Sequence, residues 1–388
     1  MNKCQTRKVN DMTQKVTLIA TSPMGLESVV AREIKQLGYE VEVENGKVIF
    51  EAPISAIPRC NLWLRTADRV KLCIGQFKVQ TFDELFEATK ALPWENFITE
   101  TGKFPVSGKS HKSKLFSVSD CQAIVKKAIA DRLQLKYGLA SRLPETGALY
   151  KIEVALLKDI ATLTIDTSGA GLHKRGYRIG QGDAPLKETL AAALISLTNW
   201  QPNETLIDPF CGSGTIPIEA ALIGQNIAPG FNREFASESW EMVKDKLWDE
   251  AFQEAEDLAK YDQPLNIIGS DIDHHMVDIA AKNATEAGLA DLVSWKQMQV
   301  RDLTIKEDIN GYLIGNPPYG QRISDEKEVA HMYQDLGQIM AQHPSWSVYI
   351  LTAYDHFEKA YGQKATKKRK LFNGFIRTDY YQYFGKKA

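Results

Sequence analysis

Asn316-Pro317-Pro318-Tyr319-Gly320 is a run of residues able to hold and activate an amine. An amino group on a heteroaromatic ring is a poor nucleophile, because its lone pair is delocalised into the ring. The Asn316 carboxamide oxygen and the Pro317 carbonyl oxygen offer two acceptors for its two hydrogens. Held there, the nitrogen is pushed towards tetrahedral geometry and the positive charge developing on it is supported. Pro317 and Pro318 stiffen the loop so that both acceptors are aimed in advance. Tyr319 offers a ring face on which a planar base can stack. Taken alone, the same run reads as a proline-rich turn after a strand.

Some hundred residues earlier lies Asp208-Pro209-Phe210-Cys211-Gly212-Ser213-Gly214-Thr215. Gly212 and Gly214 let backbone amides approach a ligand closely and start the next helix. The pattern is not the Gly-x-Gly-x-x-Gly dinucleotide fingerprint, and no phosphate-gripping Lys follows, so NAD and ATP are both disfavoured. Asp208, at a strand end, suits a ligand carrying an ammonium group, such as a methionine moiety. Asp271 ends a second strand, where a carboxylate can accept bonds from the two hydroxyls of a ribose. Asp273 then reads as the cap of the following helix. Asp302 follows a third strand and either receives an adenine amino group or is a surface acid. Ammonium, ribose and adenine together describe S-adenosylmethionine. Its methyl group is already activated on sulfonium, so neither a metal nor a strong base is required.

These loops need strands to carry them. From Leu186 onward, helices and buried strands alternate: helices over 186–198, 216–223, 273–287 and 327–341, strands over 205–207, 266–270, 293–297, 311–314 and 347–351. A hairpin over 370–384 turns at Asn373-Gly374. Alternation of this kind predicts a doubly wound, mostly parallel sheet. Ligands of such sheets sit at the carboxyl ends of the strands, where both motifs fall. Residues 224–265 form a long, partly helical segment that reads as either a lid or an insertion.

The front half has a different texture. A strand (16–21), a helix (23–37) and a hairpin through Asn45-Gly46 open a small α+β unit over 16–65. Residues 66–167 repeat the theme. A strand (70–77) and a helix (82–91) precede a strand over 103–107 and a basic loop carrying Lys109, His111, Lys112 and Lys114. A long helix (120–137) and a hairpin (150–156 and 160–166) close the unit. Ser168-Gly169-Ala170-Gly171 reads as a linker, and residues 1–15 as a disordered leader.

The 388 residues suffice for two or three domains, with 44% apolar and 25% charged residues, as in soluble globular proteins. No apolar run is long enough to span a membrane and the N-terminus lacks a secretory core, so a cytoplasmic setting is expected. Five cysteines without Cys-x-x-Cys or Cys/His spacing give no metal site. The net charge of −2 hides an asymmetry. Residues 1–167 carry 24 Lys and Arg against 19 Asp and Glu, and the remainder 23 against 30. A basic front half suits a polyanion, although a solvated surface explains it nearly as well. His173, Lys174, Arg175 and Arg178, around Tyr177, pair cations with an aromatic ring and suit an RNA contact. Lys367–Lys370 reads rather as a solvated basic face.

Together, Gly171–Arg178, Ala184–Leu194, Asp208–Thr215, Ser270–Asp273 and Asn316–Gly320 resemble the bacterial THUMP-domain class I RNA methyltransferases. The likeness is to the family of the N-terminal half of the 23S rRNA guanine-N2 methyltransferase, in a stand-alone form. It implies a Rossmann-like methyltransferase domain over 168–388, preceded by a ferredoxin-like unit and a THUMP RNA-binding domain. It further implies N2-methylation of guanine in structured RNA, rRNA before tRNA. By position, Asp208, Phe210, Gly212, Gly214 and Asp271 would bind S-adenosylmethionine, with Thr215 in the same loop, and Asn316, Pro317, Pro318 and Tyr319 would line the reaction centre. Adenine-N6 methylation stays open, since the same tetrapeptide serves that amine. A non-catalytic RNA-binding or ribosome-assembly factor and a nicotinamide oxidoreductase are the rival classes. Nothing in the sequence sets an oligomeric state.

Overall fold

Val16, Leu18 and Ala20 alternate along the first strand and are all buried, the two-residue period of a sheet with a covered face. The structure is a computed structural model describing residues 15–182, 185–305, 310–319 and 323–386. The expected leader, apart from Lys15, and Gly320 lie outside these residues. The chain forms two compact units. One runs to Ser22 and takes in Ala31–Leu172 and Glu234–Glu254; the other comprises Pro23–Val30, His173–Arg233 and Ala255 onward. Of the long 224–265 segment, Glu234–Glu254 thus belongs with the first unit.

Along the front of the chain run β1 (Lys15–Thr21), α1 (Glu27–Gln36), β2 (Val41–Glu44), β3 (Lys47–Pro53), α2 (Ala56–Trp63) and β4 (Arg69–Lys78). They are followed by α3 (Phe82–Ala91), β5 (Val106–His111), α4 (Val118–Tyr137), β6 (Ile152–Leu157) and β7 (Ile160–Asp166). The seven strands make one sheet in the order β2-β3-β1-β4-β7-β6-β5, antiparallel except for β5 against β6. The expected ferredoxin-like and THUMP units therefore share a sheet, joined where β4 lies between β1 and β7. Thr81 and Glu84 form a reciprocal capping box at the start of α3, which fixes that boundary. Two sequence expectations shift. Parallel pairing with β6 draws Lys109 and His111 into β5, leaving Lys112 and Lys114 in the turn. The expected linker is knit in: the buried Ser168 hydroxyl accepts from the Val70 N–H and donates to Asn61.

The second unit follows the predicted alternation. Its elements begin with α5 (Glu188–Ser196), β8 (Thr205–Asp208) and α6 (Thr215–Gly224). After the helix α7 (Asp245–Leu258), whose residues through Glu254 belong to the first unit, come β9 (Asn266–Asp271), α8 (His274–Glu286), β10 (Val293–Gln297) and β11 (Gly311–Gly315). Then come α9 (Ile323–Ala341), β12 (Ser347–Thr352), α10 (Phe357–Tyr361) and the hairpin β13 (Lys367–Asn373) and β14 (Ile376–Tyr383). The sheet order is β10-β9-β8-β11-β12-β14-β13, parallel through β12 and antiparallel in the final hairpin. Adjacent residues of one strand enter opposite cores: Ile314 joins Leu206 and Leu351, whereas Leu313 joins Ile207 and Ile350. Both faces are covered, which explains the continuous apolar runs in these strands.

Between β8 and β11 the strand order reverses. β8 pairs with β9 on one side and with β11 on the other. A crevice opens beyond the carboxyl ends of strands at such a switch point. Asp208 is the last residue of β8, and Asn316 immediately follows β11.

Candidate active site

That crevice is a cavity of about 1160 Å³ lying wholly in the second unit. Asp208, Phe210, Gly212 and Thr215 line it from the loop after β8, Asp271 from the end of β9, and Asn316–Tyr319 from the loop after β11. The volume exceeds what a single drug-sized ligand fills and suits a nucleoside cofactor together with a base.

Asp208 is 1% exposed, and its Oδ1 accepts the Phe210 N–H at 3.0 Å. Burial pushes its carboxyl well above the usual carboxylate range; the Phe210 N–H opposes this and the nearby Asp271 adds to it. Gly212 adopts φ +50°, and a side chain there would meet only the Met276 methyl, at 4.0 Å. Its backbone therefore stands open to the cavity, while its N–H donates to Asp271 Oδ2 at 2.9 Å. The other Asp271 oxygen accepts the Asp273 N–H at 3.0 Å. Asp273 caps α8 by accepting the His275 N–H, as its position predicts.

Gly214 starts the next helix, as expected, and differs from Gly212 in its surroundings. It is not among the residues lining the cavity, and a Cβ there would lie 2.7 Å from the Trp295 ring and 2.9 Å from Ala280. Glycine is required so that α6 can start, at φ +84°, tight against α8 and β10. Asp302 agrees with the surface-acid alternative. It is exposed in a short 3₁₀ turn, and its neighbours Gln299, Val300 and Arg301 reach the cavity instead.

In the Asn-Pro-Pro-Tyr loop, Asn316 Oδ1 accepts the Tyr319 hydroxyl at 2.6 Å, and that oxygen accepts from Asn373 Nδ2 at 3.1 Å. Burial pushes the Tyr319 phenol up to about 12, against the Asn373 bond, so it stays protonated and donating at neutral pH. With Tyr319 donating to it, the Asn316 amide oxygen keeps a second lone pair for an incoming donor. The Pro318 carbonyl accepts from Tyr333, whose hydroxyl also bonds Thr352. The two motifs touch at Gly315: a Cβ there would lie 2.9 Å from the Phe210 ring and 3.6 Å from Asp208 Oδ1.

The basic cluster before α5 divides. Arg175 is 3% exposed and bonds both oxygens of the fully buried Glu219, which Tyr177 also bonds at 3.1 Å. It is therefore not available to RNA. Glu219→Gln is expected to lower the unfolding free energy by about 3–5 kcal/mol, because it strands a buried cation. A urea melt showing less than about 1 kcal/mol of loss would contradict this. Arg178 is likewise redirected. Its guanidinium binds Glu188, Ser213 Oγ, Thr215 Oγ1 and the Leu186 carbonyl, bracing the glycine loop from behind. Lys174 is exposed and His173 half-buried. In the first unit Lys109 pairs with Glu153 at 3.1 Å, Lys114 bonds Gln80, and all of Lys109, Lys112 and Lys114 are exposed.

Several lining residues carried no signal for chemistry: Met276, Met298, His331, Asp335 and Ile376, with Asn373 read only as a turn residue. Only the topology, which swings α9 and the β13–β14 hairpin to the mouth of the crevice, could have found them.

Comparison with known proteins agrees with this architecture. Residues 175–382 match the RMKL-like, methyltransferase domain; residues 17–71 match the RlmL ferredoxin-like domain, and residues 79–166 the THUMP domain. YpsC of Bacillus subtilis, which bears an RNA methyltransferase name, is 62% identical over 374 residues, 96% of this chain and 97% of its own. Ribosomal RNA large subunit methyltransferase K/L of Shewanella frigidimarina is 33% identical over 92% of this chain, which spans 51% of that relative. A crystal structure from Listeria monocytogenes, described as a predicted N6-adenine-specific DNA methylase, is 60% identical with a TM-score of 0.93, covering 96% of this chain and 97% of that one. SMU.472, crystallised in complex with SAH, is 48% identical with a TM-score of 0.93, covering 97% of this chain and 100% of that one. A sheet that reverses order between β8 and β11, its two signature loops on one cavity and these matches lead to one assignment: the chain belongs to the RMKL-like methyltransferases, with RlmL ferredoxin-like and THUMP domains ahead of the methyltransferase domain.

Proposed function

We propose that this protein methylates the exocyclic N2 of a guanine in structured RNA, 23S rRNA first, using S-adenosylmethionine. The observation that carries this reading is the sharing of one cavity by the Asp208–Thr215 loop, Asp271 and the Asn316–Tyr319 loop. The residues fit the cofactor. Asp208 is a buried carboxylate whose bond is to a backbone N–H, so a cationic amine would complete its surroundings. Gly212 presents bare backbone to the cavity, and Asp271 keeps lone pairs for two ribose hydroxyls. SMU.472, alike in fold and sequence, binds SAH. The cofactor supplies a methyl group already activated on a sulfonium.

The protein's part is placement and polarisation. Asn316, held by Tyr319, accepts one hydrogen of the target amine, and the Pro317 carbonyl accepts the other. As the amine attacks the methyl carbon and displaces the neutral thioether, both oxygens face the growing positive charge, and the methylated amine then gives up its surplus proton to water. A base inside a duplex cannot align with the methyl group, so the target is extruded into the cavity. The THUMP domain grips the surrounding RNA, with Lys109, Lys112 and Lys114 as candidate phosphate contacts; His173 and Lys174, ahead of α5 in the second unit, are candidates there.

One expected consequence concerns protons. A cofactor ammonium beside Asp208 favours the ionised carboxyl, whose pKa burial otherwise raises. Binding should therefore release a proton at pH values between the lowered and raised pKa, and none well above it. Calorimetric enthalpies that vary with buffer ionisation heat in that window check this, and their independence of buffer would exclude the pairing.

Adenine-N6 methylation is the second reading, favoured by the name of the Listeria relative and by the shared tetrapeptide. The THUMP domain favours RNA, and guanine is what the resemblance to the 23S rRNA guanine-N2 methyltransferases implies. Mass-spectrometric mapping of rRNA and tRNA from a deletion strain separates them. Loss of one N2-methylguanosine in 23S rRNA is expected; loss of N6-methyladenosine alone would overturn the guanine assignment.

A further inference from the structure

One apolar side chain at the cavity mouth has no structural explanation. Phe375, at the tip of the β13–β14 hairpin, is 105% exposed, whereas its hairpin neighbours Asn373 and Ile376 line the cavity. Lysines along β13 are accounted for without any ligand, since charge on an edge strand discourages another strand from adding to it. A fully exposed phenylalanine at the end of the same edge has the opposite effect. The Gly374 turn, at φ +62°, holds it clear of the sheet.

We infer that Phe375 is an RNA-stacking residue: the hairpin tip receives a base flanking the nucleotide that enters the cavity. Three features select a nucleic-acid strand as the occupant. Of the hairpin's cations, Lys368 pairs with Glu358 and Arg369 bonds Gly25 and Ser28. Lys367, Lys370 and Arg377 are exposed and, besides guarding the edge, place positive charge on both sides of the tip, which suits phosphates. The tip is continuous with the cavity through Asn373 and Ile376, so a strand feeding a base inward passes it. Extruding a base also leaves its neighbour with an uncovered face, and an aromatic ring covers such a face whatever the sequence. The inference rests on the RNA reading above.

The test pairs two substitutions. Phe375→Ala should raise the KM for unmodified 23S rRNA transcript roughly tenfold to a hundredfold, the range expected from losing one base–aromatic stack. Its Tm and its calorimetric affinity for S-adenosylmethionine should match the wild type, and Phe375→Tyr should restore the KM. Independently of turnover, Phe375→Trp places an indole at the tip. Its fluorescence should be quenched by a single-stranded RNA decamer beyond the quenching seen in the wild type. Wild-type KM in Phe375→Ala, or no added quenching in Phe375→Trp, overturns the inference while leaving the methyltransferase reading intact. A change in sedimentation behaviour of Phe375→Ala without quenching would instead identify the tip as a protein contact, and also overturns it. Quenching without methyl transfer by the wild type would support the tip and count against the reading of the cavity.

Discussion

Asn316→Ala should lower kcat for methyl transfer by roughly a hundredfold to a thousandfold and leave the Kd for S-adenosylmethionine within about twofold. The carboxamide oxygen is aimed before any substrate arrives, because Tyr319 donates to it and Asn373 donates to Tyr319. Removing it takes away a bond that strengthens as the amine becomes positive. Cofactor affinity is untouched because Asp208, Gly212 and Asp271 lie on other strands' loops. Tyr319→Phe keeps the ring and loses the donor, so its kcat should fall between the two. Equal loss of affinity and turnover in Asn316→Ala, or full activity, would contradict the assigned role.

The second large effect is its mirror image. Asp271→Ala should weaken S-adenosylmethionine binding by roughly a hundredfold or more, since two charge-assisted bonds are each worth about 1.5–3 kcal/mol. The loss is not only direct. Asp271 also holds the Gly212 N–H at 2.9 Å and the Asp273 N–H at 3.0 Å, so the glycine loop and the start of α8 both lose an anchor. At saturating cofactor, kcat should be nearly preserved. Calorimetric titration reads the change, and a Kd within about threefold of wild type would remove Asp271 from the site.

Residues at strand ends were the legible ones. Asp208, Asp271 and Asn316 could be located because buried strands announce themselves by apolar runs, and chemistry at a doubly wound sheet gathers where those runs stop. The order of elements gave the fold for the same reason. What escaped reading depends on partners distant in sequence. Arg175 looks like a surface cation beside Lys174 until Glu219, 44 residues on, is seen to bury it. Gly315 appears an ordinary strand end until the Phe210 ring takes the space beside it. The helix α2 shows no polar face, since six of its eight residues are buried, and so has no amphipathic period to detect. Asn373 became part of the site only through the hairpin that closes the sheet.

The most direct test of the central claim is transfer of labelled methyl from S-adenosylmethionine to an unmodified 23S rRNA transcript, followed by nucleoside analysis. The account predicts label in N2-methylguanosine with the wild type and almost none with Asn316→Ala. Label confined to N6-methyladenosine, or none in rRNA or tRNA under conditions where the cofactor binds, would contradict it.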